Sequence, residues 1–417
     1  MRLIEDNQVG RAAKSLLQSG IHPVNPQVID TLHSLHPLPI SHHVPQPPQQ
    51  IPPVSFSTSL VSQVIRKRAP RGTAPGLSGW TESLLLPILT APDLTDHLSL
   101  LLSDIASANL NDDARRLLLR SRLLPVRKKD GGVRPVVIGE TFVRLAALCA
   151  LRSLPNGLLQ RTFAPRQFGI GLRNGVESAI HVVQSQLDHN PDHVALSLDI
   201  HNGFNSIERS ELLKALYSIE ALSPLWRLAH WCYGAPSHLF VHSGDSFTSI
   251  TSARGSRQGC VLGSLLFCLG LQPLLDQAAV GLENVSIVAV VDDITIVGPP
   301  EGVITAFQRI HLRLPHLGLK LSGPKCSALL PEPLPSFSSL SSQHHVTLHF
   351  GSMPLLGAMV GKDTKEISQF AINKVCNHLP LLQAITHPAL RPQNAMLLIP
   401  RINFLCHILA PLLIADV

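Results

Sequence analysis

The chain has 417 residues, with 34 Lys plus Arg against 28 Asp plus Glu, giving a formal net charge of +6. An apolar fraction of 45% excludes a mainly disordered chain, and the length allows about two or three packed units. Seven cysteines (Cys149, Cys232, Cys260, Cys268, Cys326, Cys376 and Cys406) lack zinc-finger spacing and read as reduced thiols of an intracellular protein.

Residues 1–22 carry Leu16, Leu17 and Ile21 in one stripe, which predicts a short helix, and no apolar h-region marks a secretory signal. From Pro23 to Pro53 there are nine prolines. That density predicts a linker or extended arm, so 1–60 is expected to be a short helix plus Pro-rich linker, with the folded part starting near Val61. A basic cluster follows at Arg66, Lys67, Arg68 and Arg71. A second lies between Arg115 and Arg134, where eight cations (Arg115, Arg116, Arg120, Arg122, Arg127, Lys128, Lys129 and Arg134) meet one acid, Asp130, for a net of 8 − 1 = +7. Solvated helix faces also carry charge runs, but few acids interrupt these clusters, which favours polyanion binding through Arg66, Lys67, Arg68, Arg115, Arg116, Arg120 and Arg122.

Residues 193–199 (HVALSLD) read as a buried strand ending in an acid, and 207–219 have leucines at helical spacing. The uncharged run Gln258 to Leu275 approaches the length of a membrane span, but Gln258, Gln272 and Pro273 favour a buried helix and no membrane. Residues 284–291 and 294–298 are β-branched runs separated by Asp292-Asp293, a hairpin pattern. Pro and Ser dominate 331–345, predicting a surface insertion without periodic structure. Helices packed on an antiparallel sheet give an α+β class.

Asp199 closes an apolar strand, and Asp292-Asp293 form the expected hairpin tip. Carboxylates converging at strand ends repel one another unless a cation neutralises them. Hard divalent ions with oxygen ligands fit that demand. Taken alone, Asp-Asp is also an ordinary turn dipeptide.

Eight collinear stretches give the acids a context. They are RGTAPGLSGWT (71–81), LLPVRKKDGGVRPVVIGETFVRLAA (123–147), FGIGLRNGVESAIH (168–181), LSLDIHNGFNSIERSELL (196–213), SRQGCVLGSLLFCLGLQPLL (256–275), VVDDITIVG (290–298), GLKLSGPKC (318–326) and PLLGAMVG (354–361). In this order they resemble the reverse transcriptase domain of non-long-terminal-repeat retrotransposons.

The resemblance implies a right-hand polymerase, with fingers and palm over 61–361 and an incomplete helical thumb over 362–417. It implies RNA-directed DNA synthesis, with RNA template, DNA primer or target and dNTPs as partners. Asp199, Asp292 and Asp293 would be the catalytic acids. With the carbonyl of Ile200 they would hold two Mg²⁺ or Mn²⁺ ions. Lys128, Lys129 and Arg134 would hold the triphosphate, Phe204 would exclude a 2′-hydroxyl, and Gln258-Gly259 would face nucleotide and template. Lys325 would protonate the leaving pyrophosphate. Gly76, Gly79 and Trp80 would shape a fingers loop.

Three positions depart from the family pattern: Val290 stands where Tyr or Phe is usual, Gly203 where Ala is usual, and Val261 where Pro is usual. The alternative is a truncated or inactive retroelement remnant that only binds nucleic acid. The sequence leaves no room for an endonuclease before residue 61 or for a nuclease or zinc-knuckle tail after 417, so either a fragment of a longer retroelement protein or a decayed genomic copy is expected.

Overall fold

The computed structural model describes residues 20–377 apart from positions 42, 129 and 245. The helix expected over 1–22 and most of the expected thumb therefore lie outside the described residues. The described strands, in chain order, are β1 (Ser121–Arg127), β2 (Val133–Ile138), β3 (Val194–Leu198), β4 (Ser237–Ser243), β5 (Ser246–Ser252), β6 (Ser286–Val290), β7 (Asp293–Gly298), β8 (Ser327–Leu330), β9 (Thr347–Phe350), β10 (Ser352–Leu355) and β11 (Ala358–Gly361). Helices and strands alternate along the chain, and it divides into two compact units.

One unit combines the stretch up to Leu158 with Asn202–Gly270. Its sheet has the order β2-β1-β4-β5, two antiparallel hairpins joined by a short parallel contact between β1 and β4. Leu123, Val137, Leu239, Val241 and Ile250 form one apolar face, and Val28 and Leu32 cover it. Those two residues belong to a Pro26–Ser34 helix, which corrects the expectation of a linker or extended arm before Val61. Pro26 occupies the first turn, where no amide bond is lost, and the Asn25 side chain accepts from Val28 N–H at 2.9 Å. The spacing of Val28 and Leu32 then presents both to the sheet. The helices Thr58–Arg68, Pro92–Ser107, Thr141–Arg152 and Ser223–Tyr233 of the same unit pack against one another.

The second unit combines Leu159–His201 with the stretch from Leu271 onward. Its sheet has the order β6-β7-β3-β8-β9, with β3 central and antiparallel to both neighbours. Ala195, Val288, Val297 and Leu329 pack with Ala179, Ile180, Val183 and Leu187 of the Gly175–His189 helix and with the β10–β11 hairpin. Leu196 and Ile296, one residue along and therefore on the opposite face, are also fully buried, and the Pro300–Arg313 helix packs on β3 and β7. Burial of both faces explains why β3 is apolar at every position but Ser197 instead of alternating.

The expectation of an irregular insertion over 331–345 fails. Pro335–His344 is a helix, with Phe337 and Leu340 buried at i and i+3 and Pro335 at its first position. The Gln258–Leu275 run contributes to a Gly263–Ala279 helix that contains Pro273. No helix among the described residues is long and apolar enough to cross a membrane. The described cysteines are all free thiols.

Candidate active site

The β3–β7 register pairs Leu198 with Ile294, so the next residues along the two strands are Asp199 and Asp293. The β6–β7 hairpin closes on the pair Val290–Asp293, which leaves Val291 and Asp292 as a two-residue turn. The tip is therefore Val291-Asp292, one residue earlier than the expected Asp292-Asp293. That shift puts Asp293 into the ladder beside Asp199 and leaves Asp292 on the turn. All three acids thus stand at one end of one sheet.

Their mutual influence is visible in Asp293. Desolvation over the sheet end, and then the negative charges of Asp292 and Asp199, push its carboxyl up to about 6, although the residue keeps an exposed edge. Among the described residues no group of three or more His, Cys, Asp or Glu side chains could hold a metal ion alone. The donor set instead suits an ion such as Mg²⁺, which takes one or two carboxylates and completes its shell from substrate phosphates and water.

Backbone bonds fix the segment around Asp199. Ser322 N–H donates to Asp199 O at 2.8 Å and His201 N–H donates to Lys320 O at 2.9 Å, flanking an antiparallel bridge between Ile200 and Leu321. These bonds use the carbonyl of Asp199, so that of Ile200 is not consumed by this pairing. Asp199 N–H meets the Cys326 sulfur at 3.4 Å. Lys325 lies on the short Gly323–Lys325 turn between these two anchors, with its side chain exposed.

The turn is strained. Val291 has φ +61°, a left-handed conformation that a β-branched side chain adopts at a cost on the order of 1–3 kcal/mol. Two-residue hairpin turns require such a φ and usually answer it with glycine.

A model of the family described as reverse transcriptase (RNA-dependent DNA polymerase) matches residues 126–366, more than half of the chain. The chain belongs to the reverse transcriptase family. It is also 33% identical over 264 residues to the retrotransposable element SLACS 132 kDa protein of Trypanosoma brucei gambiense, a match covering 63% of this chain and 22% of that protein. The chain thus spans about a fifth of the length of that curated relative. A retrotransposon relative agrees with the resemblance read from the eight motifs.

The remaining residues expected of a reverse transcriptase lie in the first unit. Lys128 begins the β1–β2 turn, its N–H donating to Gly132 O at 2.7 Å, and Arg134 projects exposed from β2 opposite Val126. Lys129 lies outside the described residues. Phe204 stacks on Phe267 with ring centroids 4.8 Å apart and planes 15° from parallel. Gln258 O accepts from Val137 N–H at 2.7 Å, which joins the Gln258-Gly259 loop to β2. Gly259 has φ +99°, and a Cβ there would meet Val137 O at 2.3 Å. The close approach this glycine permits in the chain alone is to β2.

The basic clusters divide. Arg66 and Lys67 are exposed at the end of the Thr58–Arg68 helix. Arg120 is exposed with its guanidinium 6.0 Å from the Phe240 ring centre. Arg68 stands 3.9 Å from Glu82, and Arg122 donates to Pro75 O at 3.4 Å. Arg116 pairs with Asp113, an acid just before the Arg115–Arg134 cluster. Arg115 turns inward, donating to Trp231 O at 2.8 Å and Ala235 O at 3.4 Å, and burial lowers its pKa. Its guanidinium ties one element to another and is half-buried, unlike the exposed Arg66, Lys67 and Arg120.

Sequence reasoning missed the supports of the loop containing Gly76, Gly79 and Trp80. Arg144 donates to Ala74 O at 2.7 Å, Glu140 accepts from Ser78 N–H at 3.0 Å, and Thr141 donates to Trp80 O at 2.6 Å. A Cβ at Gly76 would collide with Glu140. Nothing in a single sequence distinguishes these buried polar groups from surface ones.

Proposed function

We propose that the chain is an RNA-directed DNA polymerase of a retroelement, extending a primer 3′-hydroxyl with dNTPs on an RNA template. The observation that carries this reading is the gathering of Asp199, Asp292 and Asp293 at one sheet end within the family match. The unit built on β6-β7-β3-β8-β9 would be the palm, and the unit with β2-β1-β4-β5 the fingers. The thumb would begin near residue 362, with the Thr364–Cys376 helix.

In the reaction the primer 3′-hydroxyl would lose its proton to solvent as its oxygen bonds to the α-phosphorus, the bond from that phosphorus to the bridging oxygen of the β-phosphate would break, and pyrophosphate would leave. Two Mg²⁺ or Mn²⁺ ions held by Asp199, Asp292 and the Ile200 carbonyl would supply charge neutralisation at the attacking and leaving oxygens. Asp293 crowds the same sheet end with negative charge, which favours cation binding there. Lys128, Lys129 and Arg134 would bind the triphosphate, the arginine as a fork and the lysines as point charges. Lys325 would hold the proton for the leaving pyrophosphate. Phe204 would occupy the space a 2′-hydroxyl needs, with Phe267 bracing its ring. Gln258 and Gly259 would line the nucleotide and template path. The exposed Arg66, Lys67 and Arg120 are suited to the nucleic-acid backbone.

Primer extension on a homopolymeric RNA template with Mg²⁺ or Mn²⁺ tests the reading. Wild type should synthesise DNA and Asp292→Ala should not; equal signal from the two would eliminate the polymerase and leave a nucleic-acid-binding remnant. With ribonucleotides offered in parallel, Phe204→Ala should relax sugar selection.

A further inference from the structure

The motif beginning at Phe168 has no role in the reading above, yet its start lies against the catalytic hairpin. Phe168 N–H donates to Ala289 O and Ala289 N–H donates to Arg166 O, both at 2.7 Å, so residues 166–168 run as a short parallel partner on the outer edge of β6. Gln167, at 1% exposure, sits between these bonds. Its carboxamide reaches two residues past Ala289 to Val291. Oε1 accepts from Val291 N–H at 2.7 Å, and Nε2 donates to Val291 O at 3.1 Å. Oε1 also accepts from Gly169 N–H at 3.0 Å. A Cβ on Gly169 would come within 2.8 Å of Val291 N and 2.7 Å of its Cγ2, so the segment fits only with glycine there.

The two groups that Gln167 holds belong to different peptide planes. Val291 N–H lies on the plane shared with Val290, and Val291 O on the plane leading to Asp292. Two-residue turns of types I′ and II′ differ by the orientation of that second plane. A flip would turn the Val291 carbonyl away and redirect Asp292. Val291 is also the strained residue, at φ +61°, with no glycine to relieve it.

We infer that Gln167 is a positioning residue of the polymerase, its buried carboxamide locking both peptide planes around strained Val291 and thereby fixing the direction in which Asp292 is presented. This inference rests on the polymerase reading for its consequence in synthesis, but the lock itself is a property of the folded chain.

A double-mutant cycle tests it. Gln167→Met keeps length and removes all three bonds, whereas Val291→Gly relieves the strain the lock opposes. Gln167→Met should lower kcat at least about tenfold with the KM for dNTP changed less than about twofold, and Val291→Gly should restore most of the loss. Thermal midpoints of the four proteins without metal should show the same non-additivity. Gln167→Glu keeps the accepted bonds and loses the donated one, so it should fall between wild type and Gln167→Met; it carries the cycle if Gln167→Met does not fold. Additive effects on kcat and on the midpoint, or an unchanged kcat in Gln167→Met, would overturn the lock. If wild type makes no DNA the polymerase reading fails, and the thermal cycle still decides the lock.

Discussion

Each unit gathers like charges, and the two handle them differently. In the first, Arg209 and Arg257 lie 5.3 and 4.8 Å from the Tyr233 ring centre, both buried. Arg209 donates to the carbonyls of Gly255, Ala235 and Ser252 and to the Ser252 hydroxyl; Arg257 donates to Cys232 O and the Ser237 hydroxyl. Burial, and then Arg257, hold Arg209 below the ordinary guanidinium pKa, while backbone carbonyls accept hydrogen bonds from its N–H groups. In the second unit Asp199, Asp292 and Asp293 meet at a sheet end, where burial and mutual repulsion raise Asp293. Charges answered by the chain's own dipoles are architecture. No backbone dipole enters among the causes that shift Asp293, and under the proposed function the three acids form a cation site.

The contrast makes graded predictions. Asp199→Asn should lower primer extension about a thousandfold without lowering the urea midpoint, because it removes repulsion and no packing; a folding defect of equal size would erase the distinction. Arg209→Ala should do the reverse, costing on the order of 3 kcal/mol in urea unfolding by stranding four acceptors in the interior. Gly259→Ala should cost about 2 kcal/mol, since the left-handed backbone and the Val137 carbonyl both oppose a methyl group. The smallest effect is in pH. Asp293 titrates near 6 in the fold against an ordinary 3.8, so the folded chain holds extra proton between those values. Metal-free stability should therefore fall slightly as pH rises through that window and level off above it. Asp292→Asn should move the Asp293 midpoint down, read by carboxyl NMR titration; an unmoved midpoint would deny that the acids sense one another.

The meeting of the acids at strand ends was legible because β3 formed where an apolar run closed on an acid, and β6 and β7 where β-branched residues ran. Their ladder position was not, because nothing in VVDDITIVG says that Val291 turns left-handed. The Pro26–Ser34 helix was hidden by proline density, which suppresses helix only away from the first turn. The Pro335–His344 helix depends on two apolar residues meeting a surface that sequence does not display. Nothing in the sequence sets Gln167 apart from other polar residues, and Arg115 looked like any member of a basic run. In both cases the role lies in backbone groups more than 100 positions away.

The early helix has a practical consequence. Because Val28 and Leu32 roof the apolar face made by Leu123, Val137, Leu239, Val241 and Ile250, a shortened version beginning at the Thr58–Arg68 helix would open that face to water. Trimming for expression should stop before Gly20, because residues 20–22 bond to β1 and Val24 packs on the same face; cutting deeper invites insolubility that could be mistaken for loss of catalytic competence.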